Sequence, residues 1–177
     1  AAQVALDELP ASRSHDEELL GILENDACGI DAFIYVTGCT PGKGNLIQRD
    51  WGKHAYTLVR RSDGTGVRVT TRPDYRASRA VPDFAPLRER AMSGSATEDE
   101  KSRYAASLDR VIAAVLTGPA GEIFTWSRVQ PELPPRARVY RSLTCESCGE
   151  SVAEHRARNI GGHVLCIPCA GEQDGPC

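Results

Sequence analysis

A chain of 177 residues, 41% hydrophobic and 25% charged, has the composition of a globular protein with room for one ordinary domain and a small accessory module. No apolar run approaches the ~20 residues of a membrane helix, and the opening AAQVALDELP has neither the basic region nor the cleavage pattern of a secretion signal, so the expected location is the cytoplasm. A net charge of -3 with the signs interspersed excludes global steering toward nucleic acid or anionic lipid, and any polyanion would need a local patch.

Ala1, Ala2, Val4, Ala5, Leu6 and Leu9 read as a helix that ends at Pro10. It has no capping residue before it and starts without Met, so further residues are expected upstream. The apolar run Leu19 to Asn25 predicts a buried strand. Asn25 or Asp26 can cap a helix over Ala27 to Thr37, with Gly38 as its stop. The segment CTPGKGN is an irregular loop by composition, and the β-rich segments His54–Arg60 and Val67–Thr71 around SDGTG predict a hairpin.

Pro82 and Asp83 introduce a short helix, and Thr97 with Glu100 forms a capping box opening a longer one to about Leu116. Tyr104, Leu108, Val111, Ile112 and Val115 share one face of that helix, which is expected to pack into the core. Glu122 to Val129 reads as another strand. The proline-rich QPELPPRAR is a stiff connector. The predicted organisation is a core domain over 1–129, a linker over 130–141 and a cysteine-rich domain over 142–177.

Glu24 to Tyr56 concentrates the side chains able to do chemistry. Cys28 and Cys39 stand about 16 Å apart if a helix joins them, beyond disulfide reach, so one site can use only one of them. Cys39 begins a loop and is the better candidate, while Cys28 beside Gly29 and Ile30 reads as buried. Lys43 suggests a phosphate loop, but a Walker motif ending at Gly42-Lys43 needs Gly at 37 and Ser or Thr at 44, and the chain has Thr37 and Gly44. Lys43 then counts as a point charge for an anion, His54 as a sheet residue or a ligand, and Asp26 as a helix cap or a ligand.

Seven cysteines is an odd count, and four form two tight pairs, Cys145-Glu-Ser-Cys148 and Cys166-Ile-Pro-Cys169. Two thiolate pairs at this spacing close a tetrahedral four-sulfur zinc site, which a module of ~40 residues needs in order to fold. Such a closed site leaves no position for a substrate, so the zinc is structural; an iron-sulfur cluster or a redox dithiol is the alternative. A knuckle, a hairpin and a short helix carrying the last two ligands fit the spacing, and His155 and His163 are expected on the exposed hairpin. From Arg136 to Cys169 five arginines face three glutamates, and four thiolates on Zn²⁺ cancel the excess. Without a basic surface, docking onto protein is favoured over nucleic acid.

The pieces ENDACG, TGCT, GKGN and DWGKHAY, in this order at close spacing, resemble the core signature of the FmdE family, named for formylmethanofuran dehydrogenase, and the four-cysteine tail resembles the zinc finger of many members. The resemblance covers most of the chain and is weakest between Pro73 and Pro135. It implies an α+β core with a mixed or antiparallel sheet packed by helices, assembly as a homodimer, and a C-terminal treble-clef or ribbon finger. The family is widespread in anaerobes and takes its name from a gene beside a molybdenum or tungsten enzyme of methanogens, and that name does not define a reaction. Members usually carry a His-Gly-His-x-Cys-Pro-Gly segment before the helix matched by Ala1 to Leu9, and this sequence lacks it. Its histidines and cysteine would partner Cys39, so the implied core site is incomplete as written.

Three functions follow. The first is a zinc-binding accessory protein whose pocket around Cys39 takes a metal ion, a second one beside the zinc, or a small anion linked with molybdenum or tungsten enzyme metabolism. The second is an enzyme using Cys39 as nucleophile or redox thiol, assisted by Lys43 or His54. The third is a regulatory module using the finger on a protein or nucleic acid.

Overall fold

A computed structural model describes residues 1–171; Cys177 lies outside the described residues. The chain divides into two compact units, Ala1–Arg136 and a second from Ala137 onward.

The first unit is built on a five-stranded mixed sheet. Helix α1 (Ala2–Glu8) leads to β1 (Leu19–Leu23), α2 (Gly29–Thr37) and β2 (Leu46–Gln48). The hairpin β3 (Ala55–Arg60) and β4 (Gly66–Thr71) is followed by α3 (Phe84–Met92), α4 (Glu98–Thr117), the short α5 (Ala120–Ile123) and β5 (Phe124–Val129). The order across the sheet is β2-β1-β3-β4-β5. Only the β1–β2 pair is parallel, as the α2 crossover between these strands requires. β1 pairs with β3, β3 with β4, and β4 with β5, all antiparallel.

All five residues of β1 are buried, because both faces of this central strand are covered. Leu19, Leu23, Tyr56, Leu58, Val67 and Val69 meet α1 and α2 through Leu6, Leu9 and Phe33. The opposite face of Leu20, Ile22 and Val59 is covered by Ile47 and by Leu133 of the proline-rich segment. Gly21 lies beneath α2, and a Cβ there would stand 2.7 Å from Phe33 Cε1 and 2.8 Å from Leu46 Cδ1, so only glycine lets helix and strand approach this closely.

Three expectations for the first unit change. Helix α2 starts two residues later than expected, with Cys28 as its N-cap and no side-chain cap, because Ala27 and Cys28 are spent in a turn. Asn25 Oδ1 braces that turn by accepting from Ala27 N at 3.1 Å, so Asp26 does not cap the helix. CTPGKGN is ordered around a 3₁₀ turn, Pro41–Lys43, with Thr40 Oγ1 accepting from Lys43 N.

The third change concerns α4. Its capping box forms as expected. Its packing face runs through Tyr104, Ser107, Leu108 and Val111, against α3 and the turn Ala77–Ala80, so Tyr104, Leu108 and Val111 are half-buried as expected. Ser107 is buried at that contact, while Ile112 and Val115 face outward instead of into the core.

The second unit is two small antiparallel hairpins, β6 (Ser142–Thr144) with β7 (Ser151–Ala153) and β8 (Arg158–Ile160) with β9 (His163–Leu165). The last cysteine pair sits in a turn after β9, and no helix follows among the described residues.

Candidate functional site

In the second unit, the sulfurs of Cys145, Cys148, Cys166 and Cys169 lie within 4.8 Å of one another, and Cys148 Sγ and Cys166 Sγ are 3.9 Å apart. A tetrahedral site with ~2.3 Å zinc–sulfur bonds sets its sulfurs about 3.8 Å from each other, so the donor set fits zinc. Each pair sits on a knuckle whose backbone N–H groups turn inward. Gly149, at φ 77°, donates its N–H to Cys145 O at 2.9 Å, and Cys166 N points at Cys145 Sγ at 3.3 Å. Backbone N–H groups of Cys148 and then Cys166 pull the Cys145 thiol down to about 6, into the range of a ready thiolate ligand.

Glu146 ties the two hairpins together, its Oε1 accepting from Val164 N at 2.9 Å and its Oε2 meeting His163 Nδ1 at 2.7 Å. His155 stacks on Tyr140 with ring centroids 3.8 Å apart. Both histidines are exposed, with partners other than the sulfur cluster.

In the first unit, the candidates from Glu24 to Tyr56 separate to two ends of the sheet. Cys39 lies at the C-terminal end of α2, fully buried at 0% exposure. Burial pushes its thiol above the ordinary value, against smaller opposing effects of Thr37 and Lys43. Lys43 Nζ donates to Gly38 O at 3.1 Å and Ser14 O at 3.4 Å, so it caps carbonyls at the end of α2. Buried Asn45 accepts from Thr40 N at 2.8 Å and donates to Asp16 O at 2.8 Å and Leu19 O at 3.1 Å. The GKGN piece therefore braces the loops around Cys39.

At the opposite end, where β1 and β4 finish and β3 begins, the ENDACG and DWGKHAY pieces meet. Asn25 Nδ2 donates to Lys53 O at 2.7 Å, and Lys53 N returns a bond to Glu24 O at 2.8 Å. Cys28 and Asp26 are exposed there, so the two cysteines have exchanged their expected environments. His54 gives its carbonyl to Thr71 N at 3.0 Å, continuing the β3–β4 ladder, while its side chain lines a cleft.

That cleft has a volume of about 550 Å³, and its lining includes Lys53, His54, Arg68, Arg72, Tyr75 and Arg76 with no carboxylate. Arg68 is held by Glu24 beneath the cleft, through bonds of 2.6 and 2.7 Å. Arg72 contacts the exposed Asp74 at 3.5 Å, and Arg76 NH1 rests on the carbonyls of Pro73 and Tyr75. Lys53 and Arg49 flank the ring of Trp51, at 5.6 and 5.3 Å from its centroid.

The arrangement concentrates cationic donors at one concave surface, which is what binding a small anion requires. Sequence reasoning named His54 as a candidate ligand, found Lys53 only as part of a motif, and missed Arg68, Arg72, Tyr75 and Arg76. The signal was present: from Arg68 to Arg79 four arginines stand against Asp74 alone.

Comparison with known proteins agrees with this architecture. The family model described as FmdE, molybdenum formylmethanofuran dehydrogenase operon, matches residues 1–125, and that of the prokaryotic dksA/traR C4-type zinc finger matches residues 138–175. A probable S-adenosyl-L-methionine-binding protein of Archaeoglobus fulgidus is 32% identical over 165 residues. The alignment takes in 91% of this chain and 43% of that protein, so the chain spans less than half the length of this relative. The crystal structure of a tungsten formylmethanofuran dehydrogenase FmdE-like protein from Syntrophus aciditrophicus covers 95% of this chain and 77% of its own, with TM-score 0.56 and 22% identity, a likeness of fold.

Proposed function

The chain belongs to the FmdE family and carries a C-terminal C4 zinc finger, and from that premise we propose that it is a zinc-binding accessory protein whose core holds a small oxyanion in the Lys53–Arg76 cleft. One observation carries the reading: Lys53, His54, Arg68, Arg72 and Arg76 converge on a cleft whose lining has no carboxylate. Such a lining disfavours a free cation and suits an anion that accepts several charge-assisted hydrogen bonds. The family's naming after a molybdenum enzyme operon makes molybdate and tungstate the first anions to test.

Binding is favoured over thiol catalysis in this proposal. A fully buried Cys39 with a raised pKa is a poor nucleophile at neutral pH.

S-adenosylmethionine is the second reading, supported by the name of the Archaeoglobus relative. At neutral pH that ligand carries a sulfonium and an ammonium against one carboxylate, which fits the cationic cleft less well than an oxyanion. Calorimetric titration of the full chain with tungstate, molybdate and S-adenosylmethionine separates the two. Saturable oxyanion binding supports the first reading, and binding of S-adenosylmethionine alone replaces it with the second.

We further propose a homodimer that covers the outward apolar face of α4, where Ile112 is 46% and Leu116 78% exposed. Equilibrium sedimentation tests it: the wild type is expected to be a dimer that Ile112→Glu with Leu116→Glu dissociates. A monomeric wild type, or an unaffected dimer, contradicts it. The near-neutral finger is proposed as a protein-docking module.

A further inference from the structure

A second depression, of about 530 Å³, lies at the other end of β3. The Lys53 cleft includes Ala55, the first residue of the strand, and this depression includes Arg60, the last, about 17 Å away at ~3.3 Å per residue. It is formed within the first unit by the segment between α1 and β1, the end of β3 and Arg136. Pro10, Ala11 and Leu19 give it an apolar wall.

The arginines and the carboxylate of the lining can be accounted for residue by residue, and Ser12, Ser14, His15 and Ser62 complete its polar residues. Arg60 is fully engaged, with Nε and NH2 on the Asp63 carboxylate and NH1 on Leu9 O at 2.8 Å. Glu18 is the lining carboxylate, and it is turned back on its own loop, accepting from Asp16 N at 2.8 Å and Ser14 Oγ at 3.0 Å. Arg13 spends Nε on Tyr35 O at 2.9 Å and keeps its terminal nitrogens without a protein acceptor among the described residues. Arg136 has no protein partner among them.

Arg61 is the unusual member. Its side chain is only 5% exposed, and NH1 donates to Pro134 O at 3.0 Å. Its Nε is ion-paired with Glu17 Oε2 at 4.0 Å, too far for a hydrogen bond, and Nε, NH2 and that carboxylate oxygen all lack a hydrogen-bond partner. A buried guanidinium with two unmet donors is an arrangement that folded proteins avoid unless something else supplies the acceptor.

We propose that this depression is a second ligand site, for a phosphomonoester with an apolar body. Arg61, Arg13 and Arg136 take the phosphate, whose double charge and several acceptor oxygens match three arginines better than one carboxylate does. The Pro10, Ala11 and Leu19 wall takes the body. The proposal does not rest on the oxyanion reading of the Lys53 cleft, because no lining residue is shared.

The test is calorimetric titration of the full chain, at fixed ionic strength, with phenyl phosphate, inorganic phosphate and benzoate. Phenyl phosphate is expected to bind saturably and at least about tenfold more tightly than the other two, since each lacks one half of the match. Arg13→Gln and Arg136→Gln, both at exposed positions, should each weaken phenyl phosphate about tenfold. Lys53→Ala and Arg76→Ala should leave it unchanged. Absence of saturable binding, equal affinity for benzoate, an unchanged affinity in both arginine variants, or a loss confined to the Lys53 and Arg76 variants would overturn the proposal.

Discussion

Arg68 reaches from β4 past β3 to Glu24 at the end of β1, placing Nε 2.6 Å from Oε1 and NH2 2.7 Å from Oε2. Glu24 is buried at 4% exposure, so this two-bond pair ties three strands together directly beneath the Lys53 cleft. The Arg68 guanidinium holds the Glu24 carboxyl below its ordinary value of 4.5, against the opposing effect of burial.

The pair sets a pH dependence. Because the folded-state pKa of Glu24 is depressed, its contribution is complete above about pH 4.5 and is lost as pH falls through the lowered value. Glu24→Gln leaves Arg68 without its counter-charge and is expected to cost about 2–4 kcal/mol at pH 7 in urea unfolding. The loss should shrink at pH 3. A cost that is the same at both pH values would show that the pair does not titrate as described.

The two core cysteines should differ in accessibility. At pH 8, iodoacetamide is expected to label exposed Cys28 in the native chain and to reach buried Cys39 only on unfolding, when the products are mapped by mass spectrometry. Fast native labelling of Cys39 would restore the thiol-enzyme reading.

Metal analysis is expected to give about one zinc per chain, unchanged by Cys39→Ser and lost in Cys148→Ser. Chelation should abolish the folded signature of the second unit, because binding energy at such a site is folding energy. A zinc content that falls with Cys39→Ser would instead place a metal in the core.

The sequence made the fold more legible than the core site. LLGIL, the Asp-Gly hairpin and the Thr97 capping box are local signals, and each became the expected element, while the cysteine spacing gave the expected four-sulfur cluster without the short helix. Two features depended on tertiary context. Ser107 gives no apolar signal, yet it is the buried residue of the α4 packing face, while the apolar Ile112 lies outward. In the loop after α2, Lys43 and Asn45 offered able side chains whose partners, Ser14, Asp16 and Leu19, lie more than twenty residues away. Spacing cannot distinguish such a brace from a binding loop. The arginine run from Arg68 to Arg79 was visible in the sequence, but its meeting with Lys53 and His54 at one cleft depends on the pairing of β3 with β4.

The central claim is tested most directly by tungstate binding to the full chain and to the Lys53→Ala, Arg76→Ala double variant, both at the same ionic strength. The account predicts saturable binding to the wild type, weakened at least about tenfold in the double variant, with zinc content and thermal unfolding unchanged. Equal binding by the two proteins, or no saturable binding of tungstate or molybdate by the wild type, would contradict it.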